Sequence, residues 1–262
     1  MPALPWWMTA AFIAAILSLA AIIWFGAHRV ACRVHPGTSG TRLSLVIALF
    51  LAVWLVAASS LAMSGFFAPP PNGLGVPTFA YSLAPIVIGI LAPLWWSAYR
   101  NVRDAAPLPW LIGVQLYRTF GAVFLVQNFI GTMPAVFAWP AGIGDLLIGV
   151  TALPVARLCQ TGHPAARRVA IIWNILGICD LVMATTLGFL TTPGPFQALA
   201  FDSPSLTRTM FPGVLVPTFG VPLGFLLHIY ALQGLFDQRR GIGSDFGIAS
   251  GARDSAEEYG IR

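Results

Sequence analysis

Apolar residues fall into seven long blocks along this chain, and the short segments between them hold nearly all of the charge. The blocks run approximately 6–27, 43–64, 78–98, 108–129, 134–155, 169–191 and 211–235. A hydrocarbon core of roughly 30 Å needs about 20 apolar residues in helix, and each block meets that requirement. The pattern predicts an all-α fold: a polytopic membrane protein whose residues 1–235 form one seven-transmembrane-helix bundle. Trp6, Trp7, Trp95, Trp96 and Trp110 sit near block ends, as an interfacial aromatic belt requires. The connections 65–77 and 192–210 are rich in Pro, Gly and Ser and read as irregular. The polar stretch 236–262 reads as a flexible tail, too short for a domain.

Composition strengthens this picture. The 262 residues are 57% hydrophobic and 9% charged, against about 25% charged in a soluble globular domain. Residues 1–5 carry no positive charge, so the first block is expected to be an uncleaved span rather than a signal peptide. Orientation follows from the basic residues, all fourteen of which are Arg. Arg29, Arg33, Arg42, Arg100, Arg103, Arg157, Arg167, Arg168, Arg239, Arg240, Arg253 and Arg262 fall on one side of the predicted bundle, and Arg208 alone on the other. Positive residues accumulate in the cytoplasm, which puts the N-terminus outside, the C-terminus inside, and the protein in the cytoplasmic membrane. Topology accounts for these Arg residues better than nucleic acid does, and no nucleic-acid partner is expected.

Several chemistries drop out. Without Lys there is no Schiff base for a retinal chromophore. Cys32, Cys159 and Cys179 have neither even pairing nor CxxC spacing, so neither disulfides nor a zinc site is indicated. His228 is the only His well inside a span, so a bis-His haem is not expected. No cofactor and no metal site is predicted.

What remains is a group of polar residues inside the C-terminal spans. Arg118, Asp145 and Asp180 each lie about eleven residues into spans four, five and six, which at 1.5 Å per residue brings all three near the bilayer midplane. Each costs roughly 2.5–3.5 kcal/mol to insert there, and such residues usually face the bundle interior, paired or wet. Mutual pairing of Arg118 with the two aspartates is the expected solution. One Arg cannot fully neutralise two carboxylates, so a shared proton is expected. Asp145 lies on a face with Ala138, Gly142, Gly149 and Ala152, and Asp180 with Gly177, Ala184 and Gly188. Small residues at these intervals let helices approach closely in lipid. Helical spacing adds Gln115 and Ala122 to the Arg118 face, and Gly220, Gly224 and His228 form a line in span seven. Gln115, Asn174 and His228 complete the candidate site. Spans one and two hold little beyond Ser and Thr and are expected to be lipid-facing scaffold.

Three function classes fit. Pro140 precedes Asp145, and Pro212, Pro217 and Pro222 interrupt span seven. Broken helices beside midplane charges are how many secondary transporters build a substrate site, which favours binding or passage of a small solute or proton. Gly142-Ile143-Gly144-Asp145 resembles the GxGD motif of intramembrane aspartyl proteases, with Asp180 as a second carboxylate on the next span. That resemblance implies two aspartates sharing a proton around one water. It covers four residues and a partner, and it departs from the family: there GxGD carries the second aspartate in chain order, and here it carries the first. The Pro-Ala-Leu motif of the last span is also missing. The third class is a non-catalytic structural or sensory subunit, which would need a membrane protein partner or a second copy of the chain. Two echoes, GIGDL at 142–146 with GICDL at 177–181, and VPTF at 76–79 and 216–219, would mark an internal duplication of the transporter kind.

Overall fold

The computed structural model describes residues 4–68 and 76–237. Seven helices are long and apolar enough to cross a membrane: Trp6–Val34, Thr38–Met63, Thr78–Trp95, Leu108–Phe129, Ala135–Gln160, Ala166–Leu190 and Val216–Asp237, spans one to seven below. No strand occurs among the described residues. The predicted tail beyond residue 237, with its four Arg residues, and most of the connection 65–77 lie outside the described residues.

Helix outlasts hydrophobicity at the Arg-rich end. Arg29 and Arg33 sit on the last turns of span one and Arg42 on the first turns of span two, leaving only residues 35–37 as a turn where the sequence suggested a loop of 28–42. Span one has 29 residues, about 44 Å of helix, so its charged end stands clear of a hydrocarbon core of roughly 30 Å. The connection after span three contains a short helix, Ser97–Asp104.

Span two matches the scaffold expectation. Leu45, Leu49, Val53 and Val56 form an exposed stripe along it, the lipid-facing surface of a membrane helix. Span one does not. Met8, Phe12, Ile16 and Leu19 recur at four, four and three residues, are buried, and pack against the C-terminal spans. The sequence conceals this because a lipid-facing and a bundle-facing stripe are equally apolar. Trp6, Trp7, Trp95 and Trp96 are exposed at helix ends as an aromatic belt demands, whereas Trp110 turns inward onto Gly26.

Span four is not one α-helix. Residues Val114–Gly121 wind as 3-10 turns between α-helical ends. With three residues per turn, positions i and i+3 eclipse. Gln115, Arg118 and Gly121 therefore line up, all buried. Ala122, placed on this face by α-helical spacing, gives way to Gly121.

Prolines break the backbone bonding of spans three and seven, and side chains from other spans repair it. Pro222 has no N–H for the Thr218 carbonyl, which accepts instead from Trp54 Nε1 at 2.9 Å. Pro93 leaves the Gly89 carbonyl free, and Tyr230 donates to it at 2.8 Å. Around Pro217 the helix widens into a π turn, Val216–Gly220, in which the Val221 amide reaches back to the Val216 carbonyl. The bypassed Pro217 carbonyl accepts from Ser82 Oγ at 2.5 Å, and the Gly220 carbonyl from Tyr117 at 2.9 Å. Unpaired backbone groups are costly without water, so these bonds hold the broken helix to spans two, three and four. The second VPTF copy forms this π turn, and the first opens the helix of span three.

The segment 191–215 is irregular, as expected for 192–210 but running on through 211–215 because span seven begins only at Val216, and it is tucked into the bundle rather than loose. Thr191, Ser205, Thr209, Val214 and Leu215 are buried. Ser205 and Thr207 bond Met133 Sδ at 3.0 Å and Gln127 Oε1 at 3.3 Å, fixing it over the ends of spans four and five.

Two glycines report on this packing. A Cβ on Gly26 would overlap the rigid Trp110 indole, whereas one on Gly113 would stand 3.8 Å from Ala156, an ordinary contact. Gly26→Ala is expected to cost about 1–3 kcal/mol and Gly113→Ala to change stability by no more than about 1 kcal/mol, measured by reversible unfolding in mixed detergent. Equal stabilities would contradict the inward placement of Trp110.

Candidate functional site

Arg118 is enclosed by spans five, six and seven, with only 1% of its side chain exposed. Its Nε donates to Asp145 Oδ1 at 2.7 Å, and its Nη2 donates to Asp180 Oδ2 in a short ion pair. Nη1 donates to the Gly177 carbonyl and to His228 Nε2, each at 3.2 Å. Four donations thus leave one of the five guanidinium N–H groups without a protein acceptor.

Since His228 Nε2 accepts from a cation, the ring is neutral and carries its proton on Nδ1, as assigned from this network. Nδ1–H donates to Asn174 Oδ1 at 2.8 Å, and Asn174 Nδ2 donates to the Ala170 carbonyl at 2.8 Å. A hydrogen-bonded chain therefore leads from the midplane along span six toward the Arg-rich end.

Glycines make the approach possible. A Cβ on Gly121 would overlap Asp145, one on Gly144 would overlap the Asp180 carboxylate, and one on Gly177 would overlap the His228 ring. The small-residue seam of span five packs on the backbone of span four, where a Cβ on Gly149 would stand 2.5 Å from the Thr119 amide nitrogen. The seam of span six instead receives polar side chains, His228 at Gly177 and Arg208 at Gly188.

Of the sequence-predicted residues, Arg118, Asp145, Asp180, His228 and Asn174 come together. Gln115 does not join them. Its Nε2 donates to the Gly224 carbonyl of span seven at 3.0 Å, and its Oε1 is buried without a partner. The 3-10 winding stacks Gln115 one turn below Arg118, so the two point the same way without touching the same groups. Asp180 Oδ1 is likewise buried, and neither atom has a partner among the described residues. The two carboxylates bind different nitrogens of one guanidinium, and no hydrogen bond joins them among the described residues. The aspartate dyad implied by the GxGD resemblance instead has its carboxylates facing each other.

Asp145 opens onto a cavity of about 60 Å³. Span one closes one side of it with Ala15, Ile16 and Leu19; Phe124, Phe137 and Leu181 form apolar walls; and Arg208 stands on its lining with Asp145 and Arg118. A second cavity of about 40 Å³ shares Arg208, Thr185 and Pro217 with the first and continues past Phe67, Thr192 and Thr209. Arg208 lies on a short turn, Thr207–Thr209, at the Arg-poor end, with its guanidinium 4.6 Å from the Phe137 ring centroid. Burial pushes its pKa down to about 10, so it stays charged at neutral pH. In the sequence Arg208 belongs to the connecting segment 192–210. The signal that could have found it is its position as the lone basic residue at that end. Tyr117 and Thr185 were also missed, since lone hydroxyls in apolar helices carry no pattern.

Removing Arg118 strands two buried carboxylates, so Arg118→Leu is expected to destabilise the bundle by about 3–5 kcal/mol. The triple variant Arg118→Leu, Asp145→Asn, Asp180→Asn removes the stranded charges and should recover part of that loss. Unfolding in detergent checks both, and an Arg118→Leu protein as stable as the parent would contradict the ion-pair geometry.

The profile of a domain of unknown function, DUF8737, matches residues 76–236. No curated protein and no solved structure matches the chain. The matched stretch covers more than half of the sequence, runs from span three to span seven and contains Arg118, Asp145, Asn174, Asp180, Arg208 and His228, but not the cavity residues of span one. This chain therefore belongs to the DUF8737 family.

Proposed function

We propose that this protein is a multi-pass protein of the cytoplasmic membrane that takes up and passes a proton, alone or with a small solute, at the Arg118–Asp145–Asp180 site. One observation carries the reading: two carboxylates share one guanidinium, and one of them opens onto a cavity. With both ionised, the triad holds one negative charge in excess within an apolar bundle. A single proton balances it without any other cation. The partnerless Asp180 Oδ1 offers an acceptor, and the Asp145 cavity offers a way in. His228 and Asn174 lie on the far side of the triad, where a displaced guanidinium would free His228 Nε2 for a proton. Gln115 lines the same span one turn away.

The N-terminus lies outside and the C-terminus inside. Arg29, Arg33, Arg42, Arg100, Arg103, Arg157, Arg167 and Arg168 gather at one end of the described bundle and Arg208 alone at the other. Residues 1–235 act as one membrane unit with 236–262 as its cytoplasmic end. The cavity then faces the outside. A membrane protein partner or a second copy of the chain would pack on the lipid-facing spans.

Two measurements test this. Reconstituted protein under an imposed pH gradient is expected to carry protons, read by an internal pH-sensitive dye, and Asp145→Asn to lose the flux. Infrared difference spectra are expected to show one protonated carboxyl group, lost in Asp145→Asn/Asp180→Asn. A folded protein with neither flux nor that band overturns the reading. Orientation is checked with single cysteines in a cysteine-free background. Asp202→Cys should react with an impermeant maleimide on intact cells and His163→Cys only after permeabilisation, and the reverse order would invert the topology.

A further inference from the structure

Arg208 is the one group near the cavities whose charge the protein leaves unanswered. Among the described residues, no ion pair or hydrogen bond reaches its guanidinium, which rests on the Phe137 ring and against Gly188. A cation held in such surroundings is costly unless something pairs with it. Thr185 stands on the lining of both cavities with Arg208, and its hydroxyl also makes no hydrogen bond among the described residues. Thr119, Thr151 and Thr218 spend their hydroxyls on a carbonyl of their own chain segment, whereas the Thr185 hydroxyl is uncommitted. A guanidinium fork and a free hydroxyl, both on the linings of the two cavities, are the donors an anion needs.

We propose that Arg208 and Thr185 form the head-group site for a short-chain monocarboxylate, which enters from the Arg-poor end of the bundle. Charge selects a monoanion, because Arg208 is the only unpaired cation on the two linings and a dianion would keep one charge exposed to apolar walls. Wall chemistry selects a carboxylate with an apolar end, because Phe124, Phe137 and Leu181 form an apolar wall and the other polar residues on the lining, Tyr117, Arg118 and Asp145, are already bonded to the protein. Size sets the chain length. A cavity of about 60 Å³, several times the roughly 10–15 Å³ that admits one water, suits a molecule of few heavy atoms such as acetate or propionate. The inference deepens the proton-site reading and rests on it in one respect: a carboxylate on Arg208 together with a proton on the triad leaves the cavity neutral.

The test measures binding and flux separately. In detergent micelles without any gradient, acetate and propionate are expected to raise the unfolding temperature saturably, and chloride and sulfate at equal ionic strength to do so far less. Arg208→Gln should weaken propionate binding by about tenfold to a hundredfold, as expected for loss of a charge-assisted hydrogen bond. Thr185→Val, which keeps the charge, should weaken it about threefold to tenfold. The unfolding temperature of each ligand-free variant shows whether it is folded. Propionate binding that is absent in the parent, equal in Arg208→Gln, or weaker than chloride or sulfate binding overturns the inference. Saturable propionate binding lost in Arg208→Gln, in a protein that moves no protons, upholds the site and rejects the proton reading alone. Proton flux with no carboxylate binding does the opposite.

Discussion

A guanidinium in the middle of an apolar bundle has five N–H groups to place and no bulk water to place them in. Arg118 meets that demand by drawing on three other spans: Asp145 from span five, Asp180 and the Gly177 carbonyl from span six, and His228 from span seven. Each partner then constrains its own neighbours. His228 must present an unprotonated Nε2, which fixes Nδ1–H on Asn174, and Asn174 in turn is held to the backbone of its own helix. The glycines at 121, 144 and 177 follow from the same requirement, because a methyl at any of them would stand where a site side chain lies. Spans four to seven thereby share one register. Moving any of them along its axis by a residue would leave part of the Arg118 guanidinium without its partner.

Backbone supplies a second set of constraints of the same kind. The Pro-rich span seven cannot satisfy its own carbonyls, so Trp54, Ser82, Tyr117 and Tyr230 reach them or their counterparts across the bundle. These donors come from spans two, three, four and seven, and they tie the N-terminal helices to the polar half. Tyr117 shows how the two systems meet: it neighbours Arg118 on the 3-10 segment and caps the π turn of span seven. Both irregular segments line the cavity beside Asp145. Departures from α-helix are tolerated in a membrane where they face a cavity or protein, and here they do both.

The cavity divides the polar groups into two kinds. Arg118, Asp145, Asp180, His228 and Asn174 answer one another, apart from the buried Oδ1 of Asp180. Arg208 and Thr185 have no hydrogen-bond or ion-pair partner among the described residues, and both line the cavities toward the Arg-poor end. A closed network and an open pair of donors on one cavity suit a site that exchanges a proton at one place and holds an anion at another.

Hydrophobic block length determined the seven spans, because crossing a hydrocarbon core requires a fixed number of apolar residues and nothing else in the sequence imitates that. Depth along each block and the cost of buried charge also determined that Arg118, Asp145 and Asp180 would meet, since lipid offers them no other partner. The sequence did not determine winding. The 3-10 segment that puts Gly121 in place of Ala122 on the Arg118 face depends on packing against span five, which single-residue propensities do not carry. Nor did it determine which apolar stripe faces inward, and so span one has the sequence of a scaffold helix although Ile16 and Leu19 stand on the cavity wall. Arg208 is the clearest case. Its position in the chain is a connecting segment, and only the fold of residues 191–215 over the ends of spans four and five brings its guanidinium inside. Long-range folding of an irregular segment leaves no periodic trace, because each of its hydrogen bonds has its own partner and its own geometry.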